Sequence, residues 1–73
     1  MPMVQVKLIK GVFDQAQKQE MIQKLTETMV GIEGEALRPV TWVTVEEVES
    51  GDWGIGGQPV TTQYVKDLQA GNS

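Results

Sequence analysis

Residues 3–10 alternate in character. Val4, Val6 and Leu8 are apolar and Gln5 and Lys7 between them are polar. That period of two predicts a half-buried strand over 3–10. Met3 and Ile9 make the opposite face partly apolar, so both faces are expected to be covered, and Gly11 ends the run. The period then changes. Met21, Ile22, Leu25 and Met29 fall at i, i+1, i+4 and i+8, one face of a helix, with Val30 and Ile32 continuing it less regularly. Asp14 is a candidate N-cap, and Gln17 stands three residues on, as in a capping box. Glu20 and Lys24 form an i, i+4 pair on the wet face. Gly31 and Gly34 supply the stop. The helix is expected over 14–31. Residues 33–39 connect, and Pro39 biases Arg38 toward extended backbone. Residues 40–48 are rich in β-branched side chains and predict a second strand. Thr41, Val43 and Val45 share one of its faces; Trp42, Thr44 and Glu46 share the other.

A strand, a helix of about four turns and a second strand make a βαβ unit, so the strands should be parallel with a right-handed crossover. Residues 50–60 hold Gly51, Gly54, Gly56 and Gly57, with Trp53 and Ile55 stranded among them. A small hairpin packed on another subunit would explain both facts. Tyr64, Val65 and Leu68 recur at helical spacing, which predicts a short turn or helix over 61–69, with 70–73 frayed. The expectation is one domain over 1–73, of mixed α/β (α+β) class.

Size changes this picture. A chain of 73 residues builds a core seldom worth more than about 3–5 kcal/mol, and small domains add disulfides, a metal or a partner chain. There are no cysteines and no histidines, which excludes disulfides, thiolate or imidazole metal sites, and Cys or His catalysis. Oligomerisation is the device that is left. Charge narrows the partners. Six Lys+Arg stand against ten Asp+Glu, a net charge of −4. Arg38 is the sole arginine, so there is no basic footprint for nucleic acid and little attraction to an anionic membrane. No apolar run approaches the roughly 18 residues of a membrane span, and no signal-peptide pattern opens the chain. A cytoplasmic protein is expected.

Pro2 carries the chemistry. Removal of Met1, usual before a small second residue, would leave a secondary amine at the chain start. An α-amino group ordinarily titrates near 7.7–8.0; a prolyl amine is more basic, and an apolar pocket lowers it again by disfavouring the charged form. Such a nitrogen is a base near neutral pH, rigidly aimed by its ring. Many chains begin Met-Pro without any such role.

Pro2 followed by the strand over 3–10, Gly11, the capped helix, the strand over 40–48 and the run Gly54-Ile55-Gly56-Gly57 after the aromatic Trp53 resembles the 4-oxalocrotonate tautomerase family. The resemblance covers about residues 2–60. It implies a β-α-β subunit with a C-terminal hairpin, assembling as a hexamer, a trimer of dimers. It implies cofactor-free proton transfer on a small enol or unsaturated keto acid, with Pro2 as base and then acid. It places Trp53 at the aromatic wall of the pocket, and Ile9 and Ile55 at apolar wall positions.

Two positions depart from the family. Relatives bring two arginines to each site from neighbouring subunits, to hold a carboxylate and stabilise a developing enolate. One follows the glycine after the first strand and is Val12 here. The other lies eleven residues before the aromatic and is Trp42 here. Neither residue can replace a guanidinium. Arg38 could bind a carboxylate bidentately if it reached the pocket; the alternative is a solvated charge paired with Glu33 or Glu35. Of Lys7 and Lys10, Lys10 is the better candidate at the pocket rim, the alternative being a solvated strand-end lysine. Trp42 either lines and dries the pocket or packs in the core or at a subunit contact. The alternative function is a weakly active or non-catalytic structural subunit, in a homo-oligomer or a hetero-oligomer. A phosphate-loop reading of residues 54–57 fails for want of the Walker lysine and of a strand-to-helix context. Glu46 and Glu47 lie on opposite strand faces, so a cation site with Glu49 is rejected.

Overall fold

A computed structural model describes residues 1–71 of the chain. The element order is β1 (Met3–Ile9), α1 (Gln15–Glu33), a 3₁₀ helix (Glu35–Val40), β2 (Trp42–Val48), β3 (Trp53–Ile55), β4 (Gln58–Val60) and α2 (Thr62–Gln69). β1 and β2 form one two-stranded sheet, β3 and β4 another. The Trp42 N–H donates to the Pro2 carbonyl at 3.0 Å, and at the other end the Lys10 N–H donates to the Val48 carbonyl at 2.8 Å. Low numbers meet low and high meet high, so β1 and β2 run parallel. The chain divides into two compact units, Met1–Val6 with Asp14–Glu46, and Lys7–Phe13 with the chain from Glu47 onward. The start of each long strand belongs to the first unit and its end to the second.

In the first unit, burial along β1 follows its alternation: Met3 and Gln5 are exposed, Val4 and Val6 half-buried. α1 opens on the capping box: Asp14 Oδ1 accepts from the Gln17 N–H at 2.8 Å, and Gln17 Oε1 accepts from the Asp14 N–H at 2.9 Å. Two otherwise orphaned donors are thereby satisfied. Lys24 and Glu20 pair at 2.6 Å on the wet face, which raises the lysine through its hydrogen bond to the carboxylate. Met21, Leu25 and Met29 are half-buried and Val30 is buried, while Ile22 lies at the edge of this face and Ile32 faces out. The helix runs through Gly31 to Glu33, two residues past the expected bound of 31, and stops at the second of the two expected glycines. The positive φ that stops it falls at Gly34 (φ 107°), whose N–H donates to the Val30 carbonyl at 2.9 Å.

The segment 35–40 departs from the sequence reading. It coils into a 3₁₀ helix with Pro39 inside it, and β2 begins at Trp42 rather than at residue 40. The 3₁₀ spacing stacks residues i and i+3, which brings Arg38 beside Glu35 at 2.7 Å. That alignment outweighs the extended bias expected of the residue before proline.

In the second unit, β3 and β4 pair antiparallel with Trp53 opposite Val60 and Ile55 opposite Gln58. The two loop residues are Gly56 (φ 58°) and Gly57 (φ 84°). A two-residue loop with positive φ at both positions is a type I′ turn, the geometry that matches strand twist and excludes most side chains. Of the turn or helix expected over 61–69, the segment forms the helix α2. Its N-cap Thr61 accepts through Oγ1 from the Tyr64 N–H at 3.1 Å. Of the fraying expected over 70–73, residues 72 and 73 lie outside the described residues. No helix among the described residues is long and apolar enough to cross a membrane.

Candidate functional site

The second unit contains an apolar cavity of about 280 Å³, open to solvent. Its floor comes from Leu8 and Ile9 at the end of β1, with Ile9 buried. Trp53 and Ile55 of β3 and Val60 of β4 make one side, and Tyr64, Val65 and Leu68 of α2 make another. Phe13 and Lys7 complete it. The hairpin holds Trp53 in place because the strand pairing is fixed by its glycine turn.

α2 is held against the end of β1. The Thr62 hydroxyl donates to the Lys10 carbonyl, and the Thr62 N–H donates to Ser50 Oγ at 3.0 Å. Gly11 permits the approach: a Cβ there would meet the Thr62 methyl at 3.1 Å, and its φ of 92° is a region that L side chains rarely adopt.

Three of the sequence candidates, Ile9, Trp53 and Ile55, therefore line one cavity. The other three, Pro2, Arg38 and Trp42, belong to the first unit. Pro2 is half-buried, and its carbonyl pins the chain start to the start of β2 through the Trp42 N–H. While Met1 is attached, the Pro2 nitrogen is an amide with no usable lone pair. Trp42 is about half exposed. Arg38 is heavily engaged. Nη1 and Nη2 donate to the two oxygens of Glu27 at 2.6 and 3.0 Å, and Nε and Nη2 donate to those of Glu35 at 2.7 and 3.2 Å. These hydrogen bonds hold both carboxyl groups below the usual carboxylate range and push the guanidinium above its ordinary value. Glu33, the other partner considered from sequence, instead accepts from the Thr41 hydroxyl at 3.0 Å.

The lysine on the cavity wall is Lys7, not Lys10. Lys10 pairs with Glu49 at 3.0 Å, and that hydrogen bond raises it. Leu8, Phe13, Val60 and the α2 residues escaped the sequence reading as wall residues. The helical spacing of Tyr64, Val65 and Leu68 was the available signal. What it lacked was the Gly11–Thr62 approach, which depends on residues fifty-one positions apart in the chain.

A family model described as tautomerase enzyme matches residues 2–63. A probable tautomerase K2 of Dickeya dadantii (strain 3937) is 37% identical over 62 residues, covering 84% of this chain and 90% of the relative. Among solved structures, an apo unfused 4-OT is 32% identical, with a TM-score of 0.71, covering 81% of this chain and 93% of its own. A structure from work on the 4-oxalocrotonate tautomerase isozymes of Methylibium petroleiphilum is 31% identical, with a TM-score of 0.70, covering 88% of this chain and 97% of its own. The α+β architecture with a parallel strand pair and a hairpin matches the fold of these neighbours.

Proposed function

Since the chain belongs to the tautomerase family and is a tautomerase-type enzyme, we propose that it acts as one domain that moves a proton on a small enol or unsaturated keto acid, without a cofactor, using the Pro2 nitrogen of the processed chain. The observation that carries this reading is the apolar cavity walled by Ile9, Trp53 and Ile55. These are the residues that the family resemblance places around the substrate. The neutral amine takes the enol hydroxyl proton, leaving an enolate whose charge spreads onto carbon. The resulting ammonium then returns a proton to that carbon, and the amine is regenerated. The family resemblance implies an apolar surround for that nitrogen, which would lower the pKa of the amine toward neutrality. Neighbouring copies in a homo-oligomer, a trimer of dimers, complete the enclosure.

The test is ketonisation of phenylenolpyruvate or 2-hydroxymuconate, followed by ultraviolet absorbance, with the intact mass recorded on the same sample. Processed chain should turn the enol over, and chain still carrying Met1 should not. Equal turnover by both would remove Pro2 from the chemistry.

A second reading has its own support. Val12 and Trp42 stand where relatives carry arginine, and Arg38 is held by Glu27 and Glu35. A weakly active or structural subunit, in a homo- or hetero-oligomer, fits those facts. Arg38→Ala separates the roles. As a substrate binder, Arg38 would have to exchange a glutamate for the substrate carboxylate, and its loss would raise KM for an anionic enol with kcat little changed. As a tie, its loss would act on stability. Glu27 and Glu35 titrate lower folded than unfolded, so their pairing stabilises the fold above the ordinary carboxylate range and is lost as pH falls through it. Arg38→Ala should then flatten the acid limb of thermal stability. Unchanged KM together with that flattening assigns Arg38 to the fold.

A further inference from the structure

Among the described residues that line the cavity, Lys7 alone carries a charge; the rest of the wall is aliphatic or aromatic. Alternation along β1 puts Lys7 and Ile9 on one face. Ile9 is buried on the cavity floor, and Lys7, two residues earlier, is exposed. Such a position lets a lysine lay its apolar stem along an apolar wall and keep its ammonium in water at the rim. The other basic side chains singled out in the sequence lie elsewhere. Lys10 bonds to Glu49 at 3.0 Å, Arg38 is held in the first unit by Glu27 and Glu35, and neither lines the cavity.

One cation on an otherwise apolar wall selects its ligand. The chain has a net charge of −4, so its long-range field repels anions. An anion is retained only where a local cation meets it. A neutral apolar molecule gains nothing from Lys7, and a cation is repelled by it. A molecule with an apolar body and a carboxylate matches both features. The body displaces water from the wall, and the carboxylate accepts a charge-assisted hydrogen bond from the ammonium at the rim. Resting on the reading of this cavity as the substrate site, we propose that Lys7 is its carboxylate-binding residue and selects anionic enols over neutral ones. The charge of a carboxylate is the same before and during proton transfer. Lys7 therefore holds substrate and transition state alike, and acts on KM rather than on kcat. This is work for which Val12 and Trp42 have no charged group.

The experiment compares Lys7→Gln, Lys7→Arg and a charge control, Lys24→Gln, in the processed protein. Lys24 pairs with Glu20 on the wet face of α1. Each is assayed with phenylenolpyruvate and with its methyl ester, which keeps the enol and removes the charge. Lys7→Gln should raise KM for the acid about tenfold or more, with kcat little changed, and leave the ester within about twofold. Lys7→Arg should recover most of that loss, because it keeps the cation. Added salt should narrow the wild-type preference for acid over ester. An equal shift for acid and ester, no shift for either, or a Lys7→Arg protein as impaired as Lys7→Gln overturns the proposal. So does a Lys24→Gln protein that matches Lys7→Gln, since the effect would then be one of overall charge. The wild-type protein is also titrated with hexanoate and hexanamide, followed by the NMR signals of the Lys7 side chain. Hexanoate should move them and hexanamide should not, a result that needs no variant to fold. Signals that ignore hexanoate, or that answer both molecules equally, overturn the proposal. Should the wild-type protein turn over neither enol, the catalytic reading fails by itself, and this titration still decides the carboxylate site.

Discussion

The Pro2→Ala enzyme is expected to ketonise enols about 10²-fold more slowly than wild type, with KM little changed. The argument separates basicity from aim. Alanine is small enough for Met1 still to be removed, so the variant keeps an α-amine at the chain start. That amine is primary and less basic than a prolyl nitrogen. In the apolar surround that the proposed mechanism requires, the primary amine would be the weaker base of the two. It also gains a rotation that the pyrrolidine ring forbids, so it meets the enol proton in the productive direction less often. Both losses fall on the transition state, so they appear in kcat and kcat/KM together. Retention of Met1 is the more severe lesion, because an amide nitrogen has no lone pair to offer. It should remove the whole contribution of acid–base catalysis, about 10²–10⁴-fold. The fold should survive either change, because the Pro2 link to β2 is made by its carbonyl, which accepts from the Trp42 N–H at 3.0 Å, and alanine keeps that carbonyl. Circular dichroism and the assembly state serve as controls. Wild-type kcat in the Pro2→Ala protein would sink the proline mechanism.

What could be read in the chain beforehand was whatever local chemistry decides. The capping box of α1 needs only Asp14 and Gln17 three residues apart, and both of its hydrogen bonds form. The hairpin needs two glycines between short apolar runs, and Gly56 and Gly57 take the positive φ values a type I′ turn requires. Alternation placed Val4 and Val6 inward. The misses came where distant residues compete with a local rule. Pro39 argues for extended backbone at Arg38, but Glu35 and the remote Glu27 grip the guanidinium and the segment coils. Ile32 continues an apolar pattern and still faces out, while Val30 is the residue that is buried. Of the cavity lining, Trp53, Ile55 and Ile9 are residues that the resemblance names. The α2 wall is not among them, because its position depends on a threonine methyl resting on a glycine fifty-one residues earlier.

Dilution of the wild-type protein is expected to dissociate and unfold it together. Among the described residues only Ile9 and Val30 are buried, one in each unit. A chain with so little interior of its own has almost nothing to set against the roughly 1–2 kcal/mol of backbone entropy lost per ordered residue. Meanwhile Met3, Ile32 and Trp42 of one unit and Ile55 of the other each leave half or more of their surface in water. The sheet of β1 and β2 has two strands, an arrangement that is marginal alone. Copies of the chain can cover these surfaces at once. Trp42 gives the scale. It is 52% exposed, so about 100 Å² remains to be buried, worth about 2–3 kcal/mol in every copy. Trp42→Glu forfeits that gain and adds a charge that must be desolvated at the contact. The assembly should then fall apart by at least about 10²-fold in dissociation constant, and the released chains should lose their secondary structure. Sedimentation velocity and circular dichroism over an approximately hundredfold dilution series test this, since a melting temperature linked to assembly falls with protein concentration. A wild-type chain that sediments as a monomer and stays folded throughout the series would refute the idea that its core is completed by its neighbours.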